Sequence, residues 1–230
     1  SNEAAMKFYY GSEWSTARHV ILKSDAAKEI TNAAMTLGWT PEPSLENRFP
    51  QNAAHESWIG TVKSVQRAAN LQSGMPVNTW HWSIPFACII LAIVQPAPIL
   101  PHERDDEGNI LPEFKEKSRM SCWKAHHGGS AFTGPIQPFG RLCFYLDKTQ
   151  HTLAPQAAAG IFIGWRIESG CRYRGVLLIA DYNSVRKGDF RTSLVKNIAH
   201  QEVVFPRATC FPFALAREAA LKSMTTPMPL

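Results

Sequence analysis

Apolar positions between residues 53 and 72 recur with a helical period: Trp58, Val62, Val65 and Ala69 gather on one side of an amphipathic helix that runs to about Gln72. At about 100° per residue, Glu56, Gly60, Lys63 and Arg67 fall within roughly 60° of one another on the opposite side. The words "SGMP" at 73–76 stop the helix. Upstream, "NEAAMKFYYGSEW" has helical character, with Ser1 or Asn2 as its cap. "HVILKSD" (19–25) reads as a short buried strand that ends on Asp25. The prolines of "TPEPSLENRFPQN" predict a loop over 40–52. Downstream, an apolar segment covers 77–95. Its run "IPFACIILAIV" (84–94) contains Pro85, is too short for a bilayer and reads as a buried helix or strand.

Beyond Pro138 the pattern changes to short strands: "RLCFYL", "AGIFIGW", "YRGVLLIAD", "DFRTSLV" and "QEVVF", separated by turn-forming residues. That density of strands predicts a small all-β barrel. Residues 96–137, rich in proline and glycine, read as a connector in which "LPEFKEKSRMSCWKAH" forms one helix. The expected organisation is an α+β chain: a first domain over 1–95, the connector, the barrel over 138–206, and a flexible tail over 207–230.

Composition narrows the classes. With 45% hydrophobic and 19% charged residues the chain is globular, and wholesale disorder is excluded. Five scattered cysteines without a CxxC pair argue for reduced thiols in an intracellular protein, in nucleus or cytoplasm. Cys122 with His126 and His127 lacks the second ligand pair of a structural zinc site. No Asp, Glu, Lys or Arg occurs between Arg67 and Glu103, so this stretch needs cover from the rest of the chain or from a partner. The net charge of +5 is uneven. Residues 1–95 balance, whereas residues 138–206 hold nine basic and five acidic side chains. The excess is mostly Arg166, Arg172, Arg174, Arg186, Lys187 and Arg191, a pattern that fits nucleic-acid contact or plain solubility.

Several words, in order, carry a family resemblance. "LKSDAAKEI" around Asp25 resembles the strand-end motif of the second catalytic aspartate in copia-type retrotransposon integrases. "PQNAAHE" is similar to the segment leading to that family's catalytic glutamate, with Asn52 four residues ahead of Glu56. "GMPVNTWHWSIPFACIILAIVQPAP" resembles the helix that follows. "PFGRLCFYL", "LAPQAAAGIFIGW", "GCRYRGVLLIAD" and "QEVVFP" closely resemble the SH3-like module C-terminal to the catalytic core. Roughly residues 3–206 are covered. There are departures: Ala26, Ala27 and Lys28 stand where Asn-Gly-Gly is usual, and Ser57 stands where a basic residue is usual.

The resemblance implies a partial RNase H-like core, lacking its first strands, followed by an SH3-like barrel. It implies that Asp25 and Glu56 are catalytic, metal-binding carboxylates for Mg2+ or Mn2+. It also implies that Asn52, Gly60, Lys63 and Arg67 face DNA, with the first catalytic aspartate expected on a strand upstream of the opening helix. On that reading the partner is DNA, with self-association or other polyprotein segments as further partners and no membrane. Catalysis by the chain alone is not expected. The alternative is a non-catalytic interaction or structural remnant in which the arginines only solvate the barrel.

Overall fold

A computed structural model describes residues 1–16, 19–24, 27–43, 53–99, 101–147 and 156–225. It has two compact units, residues 1–61 with 167–174, and residues 62–166 with 175–230. The division crosses the amphipathic helix, whereas the pattern of residues puts the domain boundary in the connector.

In the first unit, α1 (Asn2–Tyr10) is capped by Ser1, whose hydroxyl accepts from the Ala4 N–H at 3.4 Å. β1 (Ile21–Ser24), α2 (Lys28–Thr36) and β2 (Thr40–Pro43) form a β-α-β unit with parallel strands. β2 corrects the loop expected over 40–52 at its first four residues, the rest lying outside the described residues. Its prolines are tolerated because of register: the Thr40 N–H donates to the Val20 carbonyl at 3.0 Å. Pro41 and Pro43, on the other parity, turn their missing donors to the open edge. The core gathers Ala34, Leu37 and Trp39 against Met6, Tyr10, Trp14, Val20 and Leu22.

α3 (Ala53–Ser73) spans both units. In the second unit its Val62 packs with Ala87 and Leu91 of α4 (Trp80–Val94). Gln66 donates to the Ser83 hydroxyl at 3.2 Å inside that interface, so these two buried polar side chains satisfy one another. The helical segment is longer than the sequence run: Val77–Val94 spans 18 residues, enough by length and composition to cross a membrane. Its Trp82, Ser83, Phe86, Ala87 and Leu91 are buried in the fold.

Within residues 96–137 the single helix expected over 111–126 is a correction too. Instead of one helix, "LPEFKEKSRMSCWKAH" makes two short 3-10 turns and α5 (Cys122–His126). The segment is tied down: the Ala97 N–H donates to Met120 O at 2.8 Å, the Cys122 N–H to Gln95 O at 2.9 Å, and the Trp165 indole to Pro135 O at 3.0 Å.

The remaining strands are β3 (Leu142–Leu146), β4 (Ala157–Glu168), β5 (Arg172–Asp181), β6 (Val195–Ala199) and β7 (Val203–Val204). They build one five-stranded sheet in the order β6-β5-β4-β3-β7. Between β5 and β6 lies α6 (Tyr182–Arg186). The strand expected at 189–195 is displaced to β6. The Asp189 carboxylate accepts from the Arg191 backbone N–H at 3.3 Å and from its guanidinium, closing a local turn that competes with strand pairing.

β4 is buried on both faces from Gly160 to Trp165. Gly164, at φ +146°, interrupts the alternation of side chains. Phe162 and Trp165 therefore both reach Phe86, with ring centroids at 6.4 and 5.4 Å. α7 (Pro212–Thr225) stands where a frayed tail is expected. Pro212 suits its first turn, and Gly74 admits the helix closely: a Cβ there would meet the Ala214 nitrogen at 2.3 Å.

Burial in this sheet has a chemical consequence. Cys143 is fully buried, and burial pushes its thiol up to about 12, against the opposing influence of Arg141. Alkylation of the native protein with iodoacetamide near pH 8 is expected to spare Cys143, and labelling should appear only in denaturant. The sign for stability follows. With the folded pKa above the unfolded one, this contribution is complete below about pH 9 and is lost as pH rises from there toward about 12. Rapid native labelling of Cys143, read by mass spectrometry, would contradict this placement.

Candidate nucleic-acid interface

α3 places the polar stripe as its period predicts. Glu56, Gly60, Lys63 and Arg67 are all exposed, while Val62, Gln66, Ala69 and Asn70 turn inward. Trp58 departs from the expectation: it shares the helix side of Val62 yet is 41% exposed. Among the described side chains of the helix, the first buried one is Val62, four residues further on.

Gly60 leaves open space at the surface, since a Cβ there would meet nothing within 4 Å among the described residues. The stripe thus offers one carboxylate, a low-profile backbone and two cations over about three turns of helix. Such a surface suits a polyanionic backbone, with the cations near phosphates and the glycine permitting close approach.

Asp25 and Asn52 lie outside the described residues, as does Ala26. β1 ends at Ser24, immediately before Asp25. Among the described residues no group of three or more His, Cys, Asp or Glu side chains gathers to hold a metal ion. Glu56, a lone exposed carboxylate, does not by itself fit the donor set of a magnesium or manganese pair.

The six basic residues of the second candidate surface are all exposed, but they do not form one set. Arg172 and Arg174 belong to the first unit, at the tip between β4 and β5. Arg166, Arg186, Lys187 and Arg191 belong to the second. The tip is shaped by Gly170 and Cys171, both at positive φ (74° and 55°). It joins the end of α1, where the Gly170 N–H donates to Phe8 O at 2.8 Å. Arg172 Nε donates to Ser169 O at 3.3 Å.

Ion pairs reduce the free charge. Arg174 meets Glu168 at 2.9 Å and Arg191 meets Asp189 at 2.7 Å. The hydrogen bonds from Arg191 hold the Asp189 carboxyl below the usual carboxylate range. Among the described residues no ion pair holds Arg166, Arg186 or Lys187.

Two other cations counted in the charge excess are structural. Arg141 is buried, donating to Gln137 Oε1 and to Pro206 O, with its guanidinium 5.4 Å from the Phe205 ring centroid. Lys196 lies 3.3 Å from Asp147 and 4.9 Å from the Tyr145 ring centroid. The pairing of Arg191 was signalled by its spacing from Asp189, two residues away. Nothing local marks Arg141 as an interior residue.

No family model matches this chain, and no curated protein matches it. Among solved structures, one similar chain occurs in the cryo-EM structure of the simian T-cell lymphotropic virus intasome in complex with PP2A regulatory subunit B56 gamma. The identity is 12% and the TM-score 0.34. The match covers 90% of this chain and spans 65% of the length of that one.

Proposed function

We propose that this chain is an integrase-derived piece of a copia-type retrotransposon polyprotein that binds DNA and does not by itself catalyse strand transfer. In this reading the β1–α3 region is a remnant of an RNase H-like core, and the five-stranded sheet is the SH3-like module after it. The observation that carries the reading is the exposed stripe Glu56–Gly60–Lys63–Arg67, on the helix whose flanking words resemble the family's glutamate segment. A wall of this kind attracts phosphates in sequence-independent fashion.

The non-catalytic side of the proposal rests on chemistry. Ala26, Ala27, Lys28 and Ser57 replace the family's usual residues around both acids. Among the described residues Glu56 is the one member of the expected metal pair, since Asp25 lies outside them. Purified chain with Mg2+ or Mn2+ and a labelled duplex is expected to give no strand transfer and no 3′-end processing. Activity that disappears in Glu56→Gln would overturn this part.

A second reading, an interaction or structural module without nucleic acid, draws support from the Arg174–Glu168 and Arg191–Asp189 pairs. These pairs show that some of the excess arginines already serve as local surface charge balance. Self-association and other segments of the polyprotein belong with either reading as further partners. A salt titration of DNA binding separates the two.

A further inference from the structure

His81 stands half-buried at the start of α4, and each of its ring nitrogens lies beside a carbonyl oxygen. Nδ1 is 3.1 Å from Asn78 O, and Nε2 is 2.9 Å from Phe190 O. A carbonyl oxygen only accepts. Neutral imidazole carries one N–H and can serve one of these partners, whereas the imidazolium carries two and serves both. The site therefore tells the two protonation states apart by one hydrogen bond, and charge strengthens the bonds that the cation makes.

The second partner lies far away in the chain. Phe190 belongs to the segment 187–194, which joins α6 to β6. The other hydrogen bonds of this segment close within residues 183–195. The N–H groups of Lys187, Gly188 and Asp189 donate back to α6 carbonyls, Arg191 donates to the Asp189 carboxylate, and Leu194 to Arg191 O. Among the described residues, the bond from His81 is thus the one hydrogen bond between this segment and α4. The Phe190 and Trp82 rings meet beside it, edge-on at 6.0 Å. The segment also contributes Thr192 to a cavity of about 320 Å3 between α4 and the sheet, which His81, Trp82, Phe86, Trp165 and Val195 line as well.

Few other charges act on the ring. No Asp, Glu, Lys or Arg occurs between Arg67 and Glu103. The other titratable group of α4 is Cys88, about two turns away, whose thiol burial pushes up and keeps neutral. The cavity's other lining residues are uncharged. On the segment itself, Asp189 and Arg191 flank Phe190 and hold one another at 2.7 Å, so their opposite effects on a nearby cation offset. Arg186 and Lys187 precede them at the end of α6.

We propose that His81 is a pH-sensitive latch. As the imidazolium it holds the 187–194 segment to the start of α4. On losing its proton the ring either leaves Phe190 or gives up Asn78, which turns it toward Phe190. The segment, and with it the Thr192 wall of the cavity, then opens more readily. Histidine is the side chain that exchanges its proton between about pH 5 and 8, so the latch closes as the pH falls through that range and loosens as it rises.

The test uses the full chain and two measurements across about pH 5 to 8. Hydrogen exchange, corrected for the intrinsic effect of pH, reads the opening of residues 187–194. Nitrogen-15 NMR of the imidazole rings reads the protonation of His81 directly. Protection of the segment is expected to be about five-fold greater at the acid end, as one net hydrogen bond allows. Its change should follow the His81 titration. In His81→Gln, which carries no titrating proton, the segment should show the weaker protection at every pH, with circular dichroism reporting that the fold persists.

Equal protection of the wild-type segment at both ends of the range would overturn the proposal. So would a pH dependence that survives in folded His81→Gln. A change in protection at a pH other than that of the His81 titration would overturn it on the wild-type chain alone, whether or not the variant folds.

Discussion

Gly140→Ala is expected to destabilise the second unit by about 3 kcal/mol or more, from two separate causes. Gly140 has φ +77°, a left-handed conformation that costs a residue with a Cβ about 1–2 kcal/mol. A Cβ at this position would also stand 2.2 Å from the Ser73 Cβ, well inside contact. Ser73 is fully buried at the end of α3, where its hydroxyl accepts from the Met75 N–H at 3.3 Å, so it has little room to retreat. Overpacking of this kind costs roughly 1–3 kcal/mol more.

Gly188→Ala separates the two causes. Gly188 has φ +79°, but a Cβ there would meet nothing within 4 Å, so only the backbone part remains. Urea unfolding should therefore show a large fall in midpoint for Gly140→Ala and a fall of about 1–2 kcal/mol for Gly188→Ala. Equal effects would remove the Ser73 contact from the account.

The second large effect is in DNA binding, and the ion pairs decide which cations matter. Binding that neutralises Z phosphates weakens with salt at a log–log slope of about −0.9Z on duplex DNA. Arg186 and Lys187 stand exposed at the end of α6, whereas Arg174 and Arg191 must first give up Glu168 and Asp189. Replacing Arg186 and Lys187 together by Ala should flatten the slope by roughly 1.8, with similar weakening on unrelated sequences.

Replacing Arg174 and Arg191 should change the slope less, because each cation lost also frees a carboxylate. The α3 pair is the comparator. If Lys63→Ala with Arg67→Ala abolishes binding while the Arg186/Lys187 variant does not, the α3 stripe is the working surface and the sheet only supports it. A slope near zero in the wild type would favour the module without nucleic acid.

Determined by the sequence alone were the features whose cause is local. The 3.6-residue period makes α3 and turns Glu56, Gly60, Lys63 and Arg67 to one exposed side. Ser1 caps α1 because a hydroxyl at that position reaches a free N–H. The apolar, β-branched runs make β1, β3, β4 and β5 whatever they later pack against.

Only the tertiary structure decided the rest. β2 exists because a parallel neighbour accepts Thr40 while its prolines face an edge, which no rule of composition reveals. Residues 96–137 are tied by Ala97 to Met120, by Cys122 to Gln95, and by the distant Trp165 indole donating to the Pro135 carbonyl, which composition does not reveal. α7 is accepted by Gly74, more than a hundred residues earlier, and a terminal segment's own residues cannot state that. Arg141 counts as surface charge until Gln137, Pro206 and the Phe205 ring enclose it. The cavity beside Trp82 is lined by α4 and by strands distant from it in sequence. Periodicity is a property of neighbours along the chain, whereas burial and partnership are properties of neighbours in space.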